Sequence, residues 1–137
     1  MGVTHAYAKL PAADVERARR FYHDAFALEP YNEVHGHLYY DVAGTPLLVF
    51  PSSGGASGTH DQFGFVVDDL AEAVQRVVAA GGQVERFPQG PPGTSDEEGI
   101  WRGERMSVAW CSDTEGNLIS LGEFAGGSPF RQSVTRP

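Results

Sequence analysis

Residues 14–22 read DVERARRFY, and this stretch decides the fold class. Asp14 is a residue type favoured at helix N-caps, because its carboxylate accepts hydrogen bonds from the first free backbone N–H groups. Apolar or small side chains then recur three and four residues apart, at Val15, Ala18, Phe21, Tyr22 and Ala25. This spacing predicts an amphipathic helix that buries one face against a sheet.

A second helix signal follows 55 residues later, where Asp69 repeats Asp14. The dipeptides Thr4-His5 and Thr59-His60 are separated by the same 55 residues. Two glycines at residues 81–82 predict the end of this second helix. Its predicted buried face consists of Leu70, Ala73, Val74 and Val77. Two matching offsets of equal length indicate an internal repeat.

Strand signals surround both helices in the same order. They cover residues 3–10 (ending at Pro11), the region of residue 33, 37–42, 47–50, 62–67, 83–87, 106–112 and 118–124. The order predicts an α+β fold of two βαβββ modules, about residues 3–51 and 60–124, within one domain over residues 1–124. We expect an eight-stranded open cup with the helices on its outer face, and a flexible tail over residues 125–137.

Composition limits which classes of partner and which cellular compartment we expect. The chain has 137 residues, 41% of them hydrophobic, and a formal net charge of −8. This charge argues against nucleic acid and anionic membranes as partners and is compatible with a cationic or neutral ligand. Cys111 is the only cysteine, which excludes an intrachain disulfide and predicts a reducing cytoplasm. No apolar run approaches the roughly 18 residues of a membrane helix.

Three segments resemble the vicinal oxygen chelate superfamily, which includes glyoxalase I, bleomycin resistance proteins and extradiol dioxygenases. Residues 14–22 resemble its first helix, residues 65–70 (FVVDDL) its second-half motif, and residues 113–119 (DTEGNLI) its closing hairpin. The resemblance covers about residues 3–124 and is specific for the fold but weak for the activity. It also implies a homodimer, because such relatives often build each pocket from two chains.

Enzymes of this superfamily hold a divalent metal on the concave face of the cup. The resemblance places the corresponding positions at Tyr7, Leu48, Gln62 and Ser120. These offer a phenol, a hydrocarbon, an amide and a hydroxyl, whereas such metals prefer carboxylate and imidazole ligands. We therefore expect no metal cofactor. The alternative is a divalent metal bound by His5 and His60, two residues before Tyr7 and Gln62 and on the same face of each strand.

The lining of the cup depends on the register of two hairpins. If Leu38 faces Leu48 and Trp110 faces Ser120, the lining consists of Tyr7, Leu38, Tyr40, Leu48, Phe50, Gln62, Trp110 and Ser120. Trp101, together with the loop at residues 89–99, would close over it. A shift of one residue in either turn would substitute Tyr39 or Cys111.

The aromatic lining predicts a binding protein that resembles bleomycin resistance proteins and sequesters an aromatic natural product or antibiotic in a metal-free cup. One alternative is a metal-dependent lyase or oxidoreductase of the glyoxalase or dioxygenase type that uses His5 and His60. Another is a metal-free enzyme in which Tyr7 or a histidine acts as acid or base.

Overall fold

The structure of the protein is a computed structural model that describes residues 2–3, 5–53, 61–86, 98–126 and 129. In its first half, four strands and one helix form the first module. In chain order these elements are β1 (Ala8–Ala12), α1 (Val15–Phe26), β2 (Asn32–Val34), β3 (His37–Val42) and β4 (Thr45–Pro51). The strands lie in the order β1-β4-β3-β2, with β1 parallel to β4 and the other pairs antiparallel.

The second half repeats this topology as the second module. Its elements are β5 (Phe63–Val66), α2 (Leu70–Ala79), β6 (Gln83–Glu85), β7 (Trp101–Arg102), β8 (Met106–Ser112) and β9 (Leu118–Phe124). The strands lie in the order β5-β9-β8-β6, and β7 pairs with β8 as well. The α+β class and the two-module open architecture are therefore confirmed. The two-residue strand β7 was not predicted.

Both helices begin where the sequence predicts. Oδ1 of Asp14 accepts a hydrogen bond from the backbone N–H of Arg17 at 3.0 Å, and Oδ1 of Asp69 accepts one from Glu72 at 3.1 Å. Gly81 follows α2 with a φ of 103°, a left-handed conformation that glycine adopts without strain. The cap at each helix start and the glycine stop after α2 are confirmed.

The core lies between the helices and one face of each sheet. The predicted helix faces are buried there, at Ala18, Phe21, Tyr22, Ala25, Leu70, Ala73, Val74 and Val77, whereas Val15 is only half-buried. The helices also pack on each other, and the rings of Phe26 and Phe65 stack with centroids 4.3 Å apart. Full burial of one large apolar side chain contributes roughly 1.5–3 kcal/mol. Helix packing therefore joins the two modules. Neither described helix is long and apolar enough to cross a membrane.

Strand β1 differs from its prediction because it continues through Pro11 to Ala12. The carbonyl oxygen of Ala12 accepts the backbone N–H of Ser52 at 2.9 Å, so the polar backbone groups of Ala12 face β4. In a parallel pair these groups alternate along the strand, which places those of Pro11 at the open edge of the sheet. A proline at a sheet edge removes no hydrogen bond from the ladder. The predicted end of the strand at Pro11 is therefore wrong.

The first hairpin closes one residue away from the prediction. Leu38 pairs with Val49, and Tyr39 takes the predicted place of Leu38 opposite Leu48. Since side chains alternate between the two faces of a strand, this shift puts Leu38 and Tyr40 beneath α1, where both are buried. The prediction that the side chains of Leu38 and Tyr40 point to the concave face is wrong, although Tyr40 still borders the cavity described below.

The conformation of the turn explains this shift. The predicted register requires a loop with an odd number of residues, centred on Ala43. Ala43 and Gly44 instead have φ values of 50° and 91°, and Val42 pairs with Thr45 across them. Positive φ at both central residues is typical of two-residue hairpin turns, whose twist matches that of the strands.

The second hairpin has the predicted register. Trp110 pairs with Ser120, and Ser112 pairs with Leu118. Cys111 consequently lies on the opposite face, under α2, and is fully buried. The alternative register that places Cys111 in the cup is excluded.

Candidate functional site

The side of the first sheet that faces away from α1 carries a row of aromatic and aliphatic side chains. Leu48 lies at the middle of this row, because its cross-strand partners are Lys9 on β1 and Tyr39 on β3. Phe50 shares this face two residues further along β4, and His37 shares it two residues before Tyr39. We call these five residues the module 1 face.

A cavity of about 360 Å³ lies at one end of the module 1 face. It is lined by His5, Ala6, Tyr7, Tyr31, Tyr39, Tyr40, Pro46, Leu47 and Leu48. Tyr7 and Tyr31 are 57% and 69% exposed, so their rings are open to a ligand that enters from solvent. The volume falls within the roughly 300–1,000 Å³ of small-molecule pockets. Tyr7 and Leu48 therefore line the same cavity.

The corresponding side of the second sheet is more polar. Trp110 on β8 pairs with Ser120 on β9 and with Glu85 on β6, so the three side chains share one face. Gly64 on β5 pairs with Ser120, and a Cβ at Gly64 would lie 2.9 Å from the Ser120 Oγ. Gln62 precedes β5, and its backbone N–H donates to Leu118 O at 2.7 Å. We call Gln62, Gly64, Glu85, Trp110 and Ser120 the module 2 face.

Two polar groups of this region differ in their hydrogen bonding. The Ser112 hydroxyl donates to Oε1 of Glu85 at 2.8 Å, which holds the carboxylate against the sheet. Oε1 of Gln62 is buried and has no donor among the described residues. A buried acceptor without a donor costs free energy, so Gln62 is suited to accept a hydrogen bond from a ligand.

Trp101 lies on β7 and pairs with Val108, two residues before Trp110, which puts Trp101 on the same side as the module 2 face. Its indole covers Gly103, where an added Cβ would lie 2.7 Å from the ring. The loop that was predicted to close the cup with Trp101 falls mostly outside the described residues.

Five residues of the two faces are absent from the predicted lining, namely Lys9, His37, Tyr39, Gly64 and Glu85. Lys9 follows Tyr7 by two residues, and this spacing on a strand could have placed it on the same face. Tyr39 was only the alternative to Tyr40, because the register of the turn was unknown. Glu85 lies on a three-residue strand, and its position opposite Trp110 depends on pairing with residues far along the chain.

The thiol of Cys111 is not part of either face. Burial raises its pKa to about 12, and the nearby Glu85 carboxylate adds to this shift. Since the thiolate is the nucleophilic form, we expect this cysteine to be unreactive at neutral pH.

The residues at the family metal positions do not fit a divalent metal. Tyr7 and Leu48 lie in the first module and Gln62 and Ser120 in the second, and none of the four is a carboxylate or an imidazole. Glu123 cannot join them, because it lies on the opposite face from Ser120 and its Oε1 accepts the Leu70 backbone N–H at 2.9 Å.

The alternative metal site is only partly described. His5 borders the cavity, whereas His60 lies outside the described residues. Within the described part of the chain, no group of three or more His, Cys, Asp or Glu side chains could hold a metal ion.

Comparison with known proteins identifies a family and several similar folds. Residues 4–121 match the family model described as "Glyoxalase/Bleomycin resistance protein/Dioxygenase superfamily". The fosfomycin resistance protein FosX from Listeria monocytogenes is 16% identical with a TM-score of 0.67, covering 92% of this chain and 97% of FosX. A mutant of this FosX, complexed with Mn(II) and 1S,2S-dihydroxypropylphosphonic acid, is 16% identical with a TM-score of 0.65, covering 88% of this chain and 90% of the other.

A glyoxalase-related enzyme from Fulvimarina pelagi is 19% identical with a TM-score of 0.62, covering 88% of each chain. No curated protein sequence matches this chain significantly. At these identities the structural likenesses establish the fold alone.

Proposed function

Because this chain belongs to the glyoxalase/bleomycin resistance protein/dioxygenase superfamily, we propose that it binds and sequesters an aromatic natural product or antibiotic without a metal. The observation that carries this proposal is the cavity beside the module 1 face, which Tyr7, Tyr31 and Tyr39 line together with Leu48. Exposed rings beside an aliphatic floor favour a flat, apolar ligand.

Binding without a metal is supported by the chemistry of the donors. The family metal positions carry a phenol, a hydrocarbon, an amide and a hydroxyl. A divalent cation bound there would therefore have no charged ligand. The same groups serve an organic ligand well, since Gln62 and Ser120 provide hydrogen bonds beside the Trp110 ring. A role in resistance rests on analogy with the FosX fold, and the cytoplasm as compartment rests on the single cysteine.

We include a homodimer in this proposal. The modules of one chain are joined through their helices, and β1 and β5 each lie at the edge of a sheet. A second copy that places its β5 beside β1 would bring a module 2 face opposite a module 1 face and complete the cup. Exposed edge strands favour such pairing. Size-exclusion chromatography with light scattering tests it, and a monomer at micromolar concentration would contradict it.

Tryptophan fluorescence tests the binding function, because the chain has only two tryptophans. Trp101→Phe leaves Trp110 as the sole reporter, and we expect saturable quenching by bleomycin, anthraquinone or 2-naphthol. The further change Tyr39→Ala should weaken binding by at least tenfold. Val78→Ala, at a 52% exposed position on α2, is the matched control and should change nothing.

Two outcomes would contradict the proposal. One is the absence of saturable quenching by all three probes. The other is a stoichiometric divalent metal in the purified protein that is lost in His60→Ala, since that result would favour the metal-dependent enzyme.

A further inference from the structure

Lys9 is the only lysine in the chain, and all the other cationic side chains apart from histidine are arginines. It is the second residue of β1, with its side chain on the module 1 face beside Leu48. The structure therefore places a single ammonium group on the edge strand of this face, beside Leu48 and Phe50. The face also carries His37 and, two residues beyond Tyr39, Asp41.

The ammonium of Lys9 has an aromatic neighbour but no carboxylate. Its Nζ lies 4.7 Å from the ring centroid of Phe50, a cation–π contact. No carboxylate of the described residues forms an ion pair with it. By contrast, Arg17 and Arg76 are each paired with a glutamate.

A free ammonium in this position is suited to bind an anion. Lysine presents a compact charge with three donors, and the Phe50 ring takes up only one side of it. Lys9 is exposed, and Leu48 and Phe50 flank it, so a ligand seated against these two side chains would exclude water from the ammonium and strengthen a charge-assisted hydrogen bond to it. An aromatic ring attached to the anionic group would then lie over Leu48 towards Tyr39.

Lys9 does not itself line the cavity, but its cross-strand partner Leu48 does. We propose that Lys9 binds the anionic group of a ligand whose aromatic ring enters the cavity, so that the site takes planar aromatic acids. This inference rests on the proposed binding function and specifies its ligand class. The chain as a whole carries a net charge of −8, which disfavours anions at long range. Since salt at physiological ionic strength screens charges beyond about 8 Å, direct contact with Lys9 determines the preference.

A matched pair of probes separates charge from shape. Naphthalene-2-carboxylate and naphthalene-2-carboxamide have the same ring, but only the first is anionic at pH 7.5. We expect isothermal titration calorimetry to show at least tenfold tighter binding of the carboxylate by the wild-type protein. Lys9→Met keeps the length of the side chain and should abolish this preference while changing carboxamide affinity less than threefold. Lys9→Arg should restore most of it.

The outcomes distinguish this inference from the function on which it rests. Equal binding of the two probes, or an unchanged preference in Lys9→Met, would overturn the inference and leave an aromatic-binding protein. Binding of neither probe would overturn both. Circular dichroism and the thermal midpoint establish that Lys9→Met is folded.

The single lysine also permits a direct observation of contact. Reductive methylation with ¹³C-formaldehyde labels Lys9 and the chain's α-amino group, which resonate separately. Addition of naphthalene-2-carboxylate should shift the dimethyl-lysine signal, whereas the carboxamide should shift it much less. A signal that stays unmoved at saturating carboxylate would contradict the proposed contact.

Discussion

The hydroxyl of Tyr22 on α1 donates a hydrogen bond of 2.6 Å to Oδ2 of Asp113, a residue 91 positions away in the second module. Asp113 also accepts hydrogen bonds from the Asn117 side chain and from the backbone of Glu115. Burial raises the pKa of Asp113 above its usual value, although these hydrogen bonds oppose the shift. The contact fastens the last hairpin of one module to the helix of the other.

Tyr22→Phe removes this donor and leaves the rest of the side chain in place. We expect a loss of about 1–3 kcal/mol in the free energy of unfolding, because a buried carboxylate loses a hydrogen bond. Urea denaturation followed by circular dichroism measures it. A change below about 0.5 kcal/mol would show that the hydrogen bond contributes little to joining the modules.

Tyr40→Phe is the matched control, and its predicted effect has the opposite sign. The ring centroids of Tyr22 and Tyr40 lie 6.5 Å apart, but the Tyr40 hydroxyl is buried without a hydrogen-bond partner among the described residues. Burial also raises the pKa of Tyr40 to about 12, so the group is neutral. Removal of an unsatisfied hydroxyl should leave stability unchanged or raise it by about 1 kcal/mol. A clear loss would indicate a partner for this hydroxyl.

Glu115 provides a prediction of how the stability of the protein depends on pH. Its buried carboxylate accepts a hydrogen bond from Nε of Arg17 at 2.6 Å and another from the backbone N–H of Asp14 at 2.9 Å. Burial alone would raise the pKa of Glu115, but these hydrogen bonds, with one from Thr114, outweigh burial and lower it. A lowered carboxyl pKa stabilises the folded state above the unfolded pKa of about 4.3 and loses this effect as pH falls through the folded value.

Glu115→Gln should therefore destabilise the protein by about 1 kcal/mol at pH 7, where the carboxylate is charged. The difference from the wild type should shrink below about pH 4, as the wild-type group becomes protonated. Chemical denaturation at pH 7, 5 and 3.5 measures this difference. A difference that stays constant over this range would contradict the assigned pKa shift.

Cys111 should react only when the protein unfolds. With a pKa raised to about 12 by burial, its thiol is protonated at pH 8. The side chain is also fully buried beneath α2. Labelling with a chromogenic disulfide at pH 8 should be slow in buffer and complete within minutes in 6 M guanidinium chloride. Rapid labelling of the folded protein would contradict this assignment.

The helices and the second hairpin were predictable because their signals are local. Asp14 and Asp69 are caps whose hydrogen bonds reach only three residues along the chain. The apolar spacing after each cap identifies the buried face without knowledge of the rest of the fold. The register that pairs Trp110 with Ser120 follows from the length of the turn between them.

The module 1 face was predicted less well because one backbone conformation decides it. Ala43 adopts a positive φ, which is uncommon for a residue with a Cβ, and this closes a two-residue turn. A single step in register then exchanges Tyr40 for Tyr39. Glu85 and β7 depend on pairing with β8 over long distances in the chain, which no local pattern records.

Pro11 also limits the extent to which strands of other molecules can extend the first sheet at β1. It has no N–H to offer at the outer edge of β1, and its carbonyl oxygen already accepts the Asn117 side chain at 2.9 Å. A strand of another molecule can pair only with the backbone groups that precede Pro11. These groups suffice for a short contact with one neighbouring molecule. Fibril-like stacking requires an uninterrupted ladder, so this proline protects the protein against aggregation through this edge strand.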